Sequence, residues 1–541
     1  RDVPTQYTPQ GATDVGGVVR GNYCTLNPLD FTTVGTISEG NLKFTQGTSG
    51  AKSGRATFGV SSGKWYWEYT HLGGNSSPGI GNASMTLGYY CGGDANGWSY
   101  FVGGAKYNND AGTSYGASYT TNDVIGIALD MDAGTLVFYK NGASQGTAFS
   151  SLTGTMFPAF SSSSVSNVTF IANFGQRPFA YTPPSGFKSL CTTNLPTPTI
   201  GATAATAANK YFDATLYTST GTTQTVTNSG SMQPDFVWQK ARSNIQDHYL
   251  FDSVRGSSKW LESNTTDVEG TSATFLTSFN SNGVTWGTGN LPNGWTNVIW
   301  QWNAGGSTVT NTSGSISSQV RANPTAGFSI VTYSGNGTGG ATIGHGLGVA
   351  PSMMIFKPRN AVGSWLVWHT GYNSNQAQML LDSTAAIYNP GNGLYFNSTY
   401  PSSTVATLGT SSSVNDATYT YVAYMFAPVA GYSAFGSYTG NDSADGAFIY
   451  TGFRPAFVLY KKSTGIDGWV IYDAKRNTYN VADALLQPNT GGAEASSAPG
   501  SIDMVSNGFK HRNANNIGNS SSFTYIYMAF AETPFKNSLA R

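Results

Sequence analysis

The sequence predicts an all-β protein: an antiparallel β-sandwich followed by three repeated, β-rich, sandwich-like modules. Three observations carry this reading. Aromatic residues are abundant (12 Trp, 31 Tyr, 29 Phe) and are interrupted by 67 glycines, a composition that favours strands divided by turns. Helical periodicity never extends beyond two or three turns, and "YNVADALLQ" (479–487) is the best short helical candidate. Behind a linker of small residues, one strand pattern returns three times.

Residues 1–22 are rich in Pro, Gly and Thr and read as an extended arm. Strand signals follow. In "GKWYWEYT", Trp65, Trp67 and Tyr69 alternate with Tyr66 and Glu68, which puts the two sets on opposite faces of one strand. "DVIGIALDMDAGTLVFYKNG" (123–142) reads as strand, "MDAG" turn, strand and "NG" turn, with Asp, Asn and Gly at the positions a tight turn requires. "NVTFIANFG" (167–175) supplies a last strand. The exit "NFGQRPFAYTPPSGFKSLCTTNLP" (173–196) carries Phe174, Phe179, Tyr181 and Phe187 among its prolines. That apolar surface predicts a tail pinned back onto its own sandwich.

"SGKWYWEY", "DVIGIALDMDAGTLVFYKNG" and "FPAFSSSSVSNVTFIANFG" resemble, in this order, successive parts of a SPRY domain over residues 23–191. The resemblance implies a concanavalin-like antiparallel sandwich. The exit segment is similar to the stretch that follows SPRY domains in tailed-phage structural proteins.

Residues 192–209 ("TTNLPTPTIGATAATAAN") read as a linker. Beyond it, "QPDFVWQKARS" (233–243), "APSMMIFKPRN" (350–360) and "RPAFVLYKKST" (454–464) share a proline, an apolar run and a terminal lysine. Each precedes a second strand, an Asn-Gly pair (282–283, 392–393, 507–508) and a closing aromatic strand. The prolines Pro234, Pro351 and Pro455 step by 117 and 104 residues, long enough for a small domain each. Three β modules are expected: 210–325, 326–430 and 431–541, strung as a rod or as beads. The repeats resemble an uncharacterised phage-associated family, and "FAETPFKNSLAR" resembles the C-termini of phage structural proteins.

Charged residues make up only 10% of the chain, and 27 Lys+Arg balance 27 Asp+Glu. Nothing in this balance steers toward nucleic acid or an anionic membrane, and no apolar run is long enough for membrane insertion. The chain opens without a methionine or a signal-peptide pattern, which reads as a trimmed or partial N-terminus. Cys24, Cys91 and Cys191 lack metal-ligand spacing and read as buried free thiols of a protein made in a reducing compartment. The five histidines (71, 248, 345, 369, 511) show no ligand spacing either. "GTSYG" (112–116) and "GASQG" (142–146) lack the strand-turn-helix setting of a nucleophile elbow. "GNGTGG" (335–340) lacks the helix a phosphate cradle needs. Glu68 between two aromatics reads as structural, and Asp130 and Asp132 as turn formers. The basic groups "KARS" (240–243), "KPR" (357–359), "KK" (461–462) and "AKR" (474–476) read as solvated strand ends, with contacts between repeats as the alternative.

Recognition without catalysis, metal or cofactor is the expected function. The long connection 88–119 holds Tyr90, Trp98, Tyr100, Tyr107, Tyr115 and Tyr119 amid Gly, Ser and Asn, the side-chain mixture of adaptable binding loops. These six are the candidate ligand-binding residues. Together with the resemblances they suggest a non-enzymatic structural protein of a tailed-phage virion, an exposed tail fibre assembled in the host cytoplasm that adheres multivalently to host surface polysaccharide. The expected partners are other virion proteins, reached through the arm, and further copies of the chain in a homo-oligomer, with a trimer favoured. A capsid decoration or head fibre, and a polysaccharide-degrading tailspike, are the alternative readings.

Overall fold

The computed structural model describes residues 21–31, 35–47, 50–162, 167–289, 291–496 and 500–532. Most of the expected arm (1–22) and of the C-terminal "FAETPFKNSLAR" lies outside them. The chain divides into two compact units: a first that ends at Thr197 and also takes in Phe448–Gly452, and a second built from Pro198–Ala447 and Phe453–Pro534. The described residues are all-β apart from three one-turn 3-10 helices.

The first unit is a sandwich of two antiparallel sheets. One runs in the order Leu26–Phe31, Lys52–Ala56, Phe157–Ser162, Ser76–Gly81, Gly97–Tyr100, Ala105–Asn108, Ala111–Ser114. The other runs Ala143–Phe149, Thr135–Lys140, Val124–Asp130, Lys64–Gly73, Val168–Asn173, Lys43–Gln46, Gly35–Ser38. The alternation of "GKWYWEYT" divides its side chains as expected. Trp65, Trp67 and Tyr69 enter the core between the sheets, where Tyr69 stacks on Phe170 at 4.4 Å, while Tyr66 packs with Ala128 and Phe179 on the opposite face.

That outer face receives the exit segment. Glu68 is buried, and its carboxylate accepts the backbone N–H groups of Ala180 (2.7 Å) and Tyr181 (2.9 Å). Phe179 meets Tyr66 edge-on at 5.0 Å, and Lys188–Ser189 adds a short parallel strand beside Trp65–Tyr66. Burial pushes the Glu68 carboxyl above its ordinary value, against the pull of those two N–H donors. Phe179 and Phe187 of the exit therefore cover a second, smaller apolar patch that the sandwich core leaves open, while Phe174 packs into the core itself. Residues 192–209 are ordered, with 3-10 turns at Ala204–Thr206 and Ala208–Lys210 and a buried Ile200.

The second unit repeats one topology three times. In each module an outer strand, the closing aromatic strand, the Pro-led strand and the strand after it form an antiparallel sheet in that spatial order. The strands are Phe212–Thr218, Thr296–Trp302, Phe236–Ala241 and Tyr249–Asp252 in the first module. They are Phe328–Ser334, Thr420–Phe426, Met353–Pro358 and Leu366–His369 in the second. In the third they are Ser433–Thr439, Thr524–Ala531, Pro455–Lys462 and Trp469–Asp473. A smaller sheet or hairpin accompanies each, such as Ile502–Val505 with Gly508–His511 in the third module. Asn282-Gly283 and Asn507-Gly508 turn hairpins of these small sheets, whereas Asn392-Gly393 lies in a loop. "YNVADALLQ" is not helical. Its Ala484–Leu485 pairs with Ala495–Ser496, and Leu486 bridges to Ile471, so sheet partners override a short local helical pattern.

The modules are not strung as beads. Register makes Trp302, Phe426 and Phe530 equivalent, and their rings lie 6.3, 5.7 and 6.1 Å from one another. This near-equilateral triangle marks a pseudo-threefold axis. Alternation along the Pro-led and closing strands explains it: Val237 and Ile299 face their own module's core, whereas Phe236, Trp300 and Trp302 face the neighbours.

The contacts run head to tail around the ring. Tyr424 of the second module donates to Asp252 of the first (2.8 Å), and Trp300 of the first donates to Asp473 of the third (3.0 Å). Trp365 donates to the Glu262 carbonyl (2.7 Å) and Trp469 to the Leu380 carbonyl (2.9 Å). His248 holds the equivalent place in the first module, beside the Gln487 backbone. The basic "strand ends" belong to the same seams. Lys240, Lys357 and Lys461 are buried equivalents, and burial drops each ammonium to about 8. Lys357 donates to the Thr266 carbonyl of the first module (2.9 Å) and Lys461 to Ala385 of the second (3.2 Å). Solvation is the wrong expectation for these lysines: Lys357 and Lys461 are held in part by carbonyls of another repeat, and Lys240 by the Ala241 and Asn244 carbonyls of its own hairpin.

Two seams add ion pairs: Arg359 with Glu269, and Arg242 with Glu494, each glutamate also meeting a buried arginine, Arg255 or Arg476. In the third seam these charges are replaced together. Ile387 stands where the glutamate does, Ser463 where the incoming arginine does, and His369 where Asp252 and Asp473 do, while the Ile387 N–H still bonds the Ser463 carbonyl (2.8 Å).

Candidate functional site

The edge of the first unit carries a partly exposed row of aromatic rings. Its base is the ribbon Gly97–Tyr100, Ala105–Asn108, Ala111–Ser114. Asn109 and Asp110 turn the last hairpin with φ of 54° and 59°, a conformation that short amide and carboxylate side chains tolerate. The preceding loop is organised by Asp94, whose carboxylate accepts the N–H groups of Thr86 (2.8 Å) and Asn96 (2.9 Å).

On this base Tyr89 and Tyr90 lie 4.9 Å apart, Tyr90 and Tyr107 5.7 Å apart in an edge contact, and Tyr107 and Phe101 5.9 Å apart. Tyr89 is 42% exposed, and the other three are half-buried. The Tyr90 hydroxyl donates to Asp110, and desolvation, together with that carboxylate, raises the phenol pKa. Two glycines make room for the rings. A Cβ on Gly93 would stand 2.0 Å from Tyr89 Cδ1, and one on Gly112 would stand 2.6 Å from Tyr107 Cε1. The ribbon thus presents preset aromatic faces beside the exposed polar groups of Asn109, Asp110, Thr113 and Ser114. Such a surface can stack on an apolar ring face while its rim supplies hydrogen bonds.

The six candidate residues divide. Tyr90 and Tyr107 belong to the row. Tyr100 and Tyr119 do not: both are fully buried core residues, with hydroxyls donating to the Ala117 carbonyl and to the Ser76 carbonyl (2.8 Å), respectively. Tyr100 ends a strand that turns it inward and Tyr119 lies in the connection before Val124–Asp130, and at both places tyrosine serves as a large core residue with a satisfied polar end. Trp98 packs half-buried against the core. The Tyr115 hydroxyl donates to the Gly146 carbonyl (2.5 Å), and its ring lies under Lys106. Tyr89 and Phe101 complete the row. Their signal in the sequence was the same aromatic-rich connection, without the face assignment that only the ribbon supplies.

Elsewhere in the sandwich the turn carboxylates are engaged in structure. Asp130 accepts the N–H groups of Asp132 and Ala133, and Asp132 that of Gly63. The three cysteines are buried and form no disulfide, and burial pushes the Cys24 and Cys91 thiols up to about 12. Among the described residues no group of three or more His, Cys, Asp or Glu converges as a metal site. No helix among them is long and apolar enough to cross a membrane, which says nothing of membrane β-barrels.

Comparison with known proteins agrees with this division of the chain. Residues 64–177 match the SPRY domain family. A Xenopus laevis protein, ATP-dependent RNA helicase DDX1, is 35% identical over 138 residues, which is 25% of this chain and 18% of that protein. The chain therefore spans less than a fifth of this relative. Among solved structures, the SPRY domain of human HERC1 aligns with 28% of this chain and 99% of its own (22% identity, TM-score 0.26). Stonustoxin aligns with 28% of this chain and 27% of its own (24% identity, TM-score 0.25). Residues 207–534, which contain the three modules, match the family described as a domain of unknown function, DUF7483. That match covers more than half of the sequence, and the protein belongs to the DUF7483 family, with a SPRY domain ahead of its triplicated unit.

Proposed function

We propose that this chain is a non-enzymatic structural protein of a tailed-phage virion, an exposed fibre component that adheres to host surface polysaccharide. The observation that carries the adhesive part is the row Tyr89–Tyr90–Tyr107–Phe101 on the sandwich edge. Aromatic faces flanked by neutral hydrogen-bonding groups suit sugar rings, and SPRY sandwiches typically serve as interaction modules. The virion setting is supported by the resemblance of the exit segment and of the repeats to phage structural proteins. A homo-oligomer would multiply weak single sites into useful avidity. The non-catalytic reading is supported by the engagement of Glu68, Glu269 and Glu494 in backbone or arginine contacts.

The test is a titration of the full chain against a panel of purified bacterial capsular and O-antigen polysaccharides, followed by tyrosine and tryptophan fluorescence and by reducing-end release. At least one polysaccharide is expected to bind, and Tyr107→Ala to weaken that binding by about tenfold, the equivalent of ~1.4 kcal/mol for one lost ring contact. Absence of binding across the panel, or binding indifferent to Tyr107→Ala, contradicts the adhesive role. Release of oligosaccharide contradicts the non-enzymatic one.

A further inference from the structure

The three hairpins that lie on the module seams share a feature that folding does not require. Five residues after each buried lysine (Lys240, Lys357, Lys461) stands a β-branched aliphatic: Ile245, Val362 and Ile466. They occupy equivalent hairpin tips, because the lysines pair with Val298, Val422 and Ile526 at equivalent places on the closing strands. The surrounding loop sequences ("ARSNIQD", "PRNAVGS", "KSTGIDG") have diverged. These side chains are nevertheless 81%, 70% and 76% exposed.

The tips are also held rigidly. In every case the residue after the aliphatic bonds to the next module through its backbone N–H: Gln246 to the Gly491 carbonyl (2.9 Å), Gly363 to Thr266 (2.9 Å) and Asp467 to Thr384 (3.0 Å). The lysines brace the same loops, Lys240 on the Asn244 carbonyl (3.4 Å) and Lys357 on Gly363 (2.5 Å). A single exposed aliphatic residue is ordinary. Three at equivalent positions, fixed at one end of a pseudo-threefold ring, form a preorganised three-point apolar contact, for which little ordering entropy remains to be lost on binding.

We propose that this end of the ring pairs with the same end of a second copy of the chain. A partner must present three apolar sites at matching spacing around an axis, and a second ring does so by construction. The chain carries no net charge and few charged residues, so two copies approach without repulsion, a condition that favours association. Three side chains and their loop tips cover less than the about 1,200 Å² that marks the lower limit of stable interfaces. The pairing is therefore weak and reversible. It does not depend on the aromatic row of the first unit.

Sedimentation equilibrium of the full chain, from about 5 µM to about 1 mM at neutral pH, is the test. The expected result is a monomer–dimer equilibrium with a dissociation constant between about 10 µM and 1 mM. The triple variant Ile245→Asp, Val362→Asp, Ile466→Asp is expected to raise that constant at least tenfold, and each single variant to raise it by a similar smaller factor. A matching triple serine variant and the unchanged unfolding midpoint of both exclude misfolding as the cause. A monomer at every concentration, or association that survives the triple aspartate variant, overturns the proposal.

Discussion

The His369→Gln variant is expected to lose less stability than the parent protein between pH 6.5 and 4, by about 3 kcal/mol at the acid end. His369 is completely buried in the seam between the second and third modules, and burial lowers its pKa to about 4. Its Nε2 faces the Tyr527 carbonyl (3.1 Å), its Nδ1 accepts the Gly371 N–H (2.9 Å), and Tyr372 and Phe435 pack against the ring. No carboxylate contributes to its shift. The folded value lies below the unfolded one, so the unfolded chain takes up the proton first. The stabilisation is complete above about pH 6.5 and is lost as pH falls toward 4.

His511, lowered to about 3 by burial and by Lys510, and His248, lowered by burial and by Lys240 and Arg476, act in the same direction. Asp235, raised to about 6, opposes them across part of this window. Urea unfolding of parent and variant at pH 7.5, 6, 5 and 4 separates the histidine's share. The parent's slope should exceed the variant's by about 1.4 kcal/mol per pH unit. Parallel pH profiles would show that His369 is not held neutral by this seam.

Phe530→Ala is expected to destabilise the triplicated unit by about 3–5 kcal/mol, the usual cost of emptying a large aromatic site in a packed interior. Its ring contacts Trp302 and Phe426 across the axis and stacks on Phe212 of the first module at 5.3 Å. The loss therefore reaches all three modules, and the unit is expected to unfold in one transition at lower denaturant. A change below about 1 kcal/mol, within the range of a surface substitution, would mean that the axis is not packed. A small separate transition for the third module alone would mean that the modules are independent.

Local pattern carried the sandwich. The period of two in "GKWYWEYT", the "MDAG" and "NG" turns and the apolar exit segment each specify their own place, because their partners are neighbours in the sheet or lie on an open patch. It also carried the existence of three modules. What it could not carry was closure. Lys357 and Lys461 read as solvated ends because carbonyls that help to hold them lie 91 and 76 residues earlier in the chain. The Arg242–Glu494 pair spans 252 residues, and no window of sequence joins its two ends. The binding surface was half legible for a similar reason. Tyr90 and Tyr100 look alike in a loop rich in tyrosine, and only the register of Gly97–Tyr100 against Ser76–Gly81 turns Tyr100 inward while leaving Tyr90 on the rim.

Closure of the ring is tested most directly by a double-mutant cycle on Arg242 and Glu494, one residue from the first module and one from the third, joined by two hydrogen bonds of 2.9 and 2.7 Å. Urea unfolding of the parent, Arg242→Ala, Glu494→Ala and the double variant gives their coupling. A closed ring requires a coupling energy of about 1–3 kcal/mol. Additive losses, with coupling near zero, would contradict closure and return the modules to a string of independent beads.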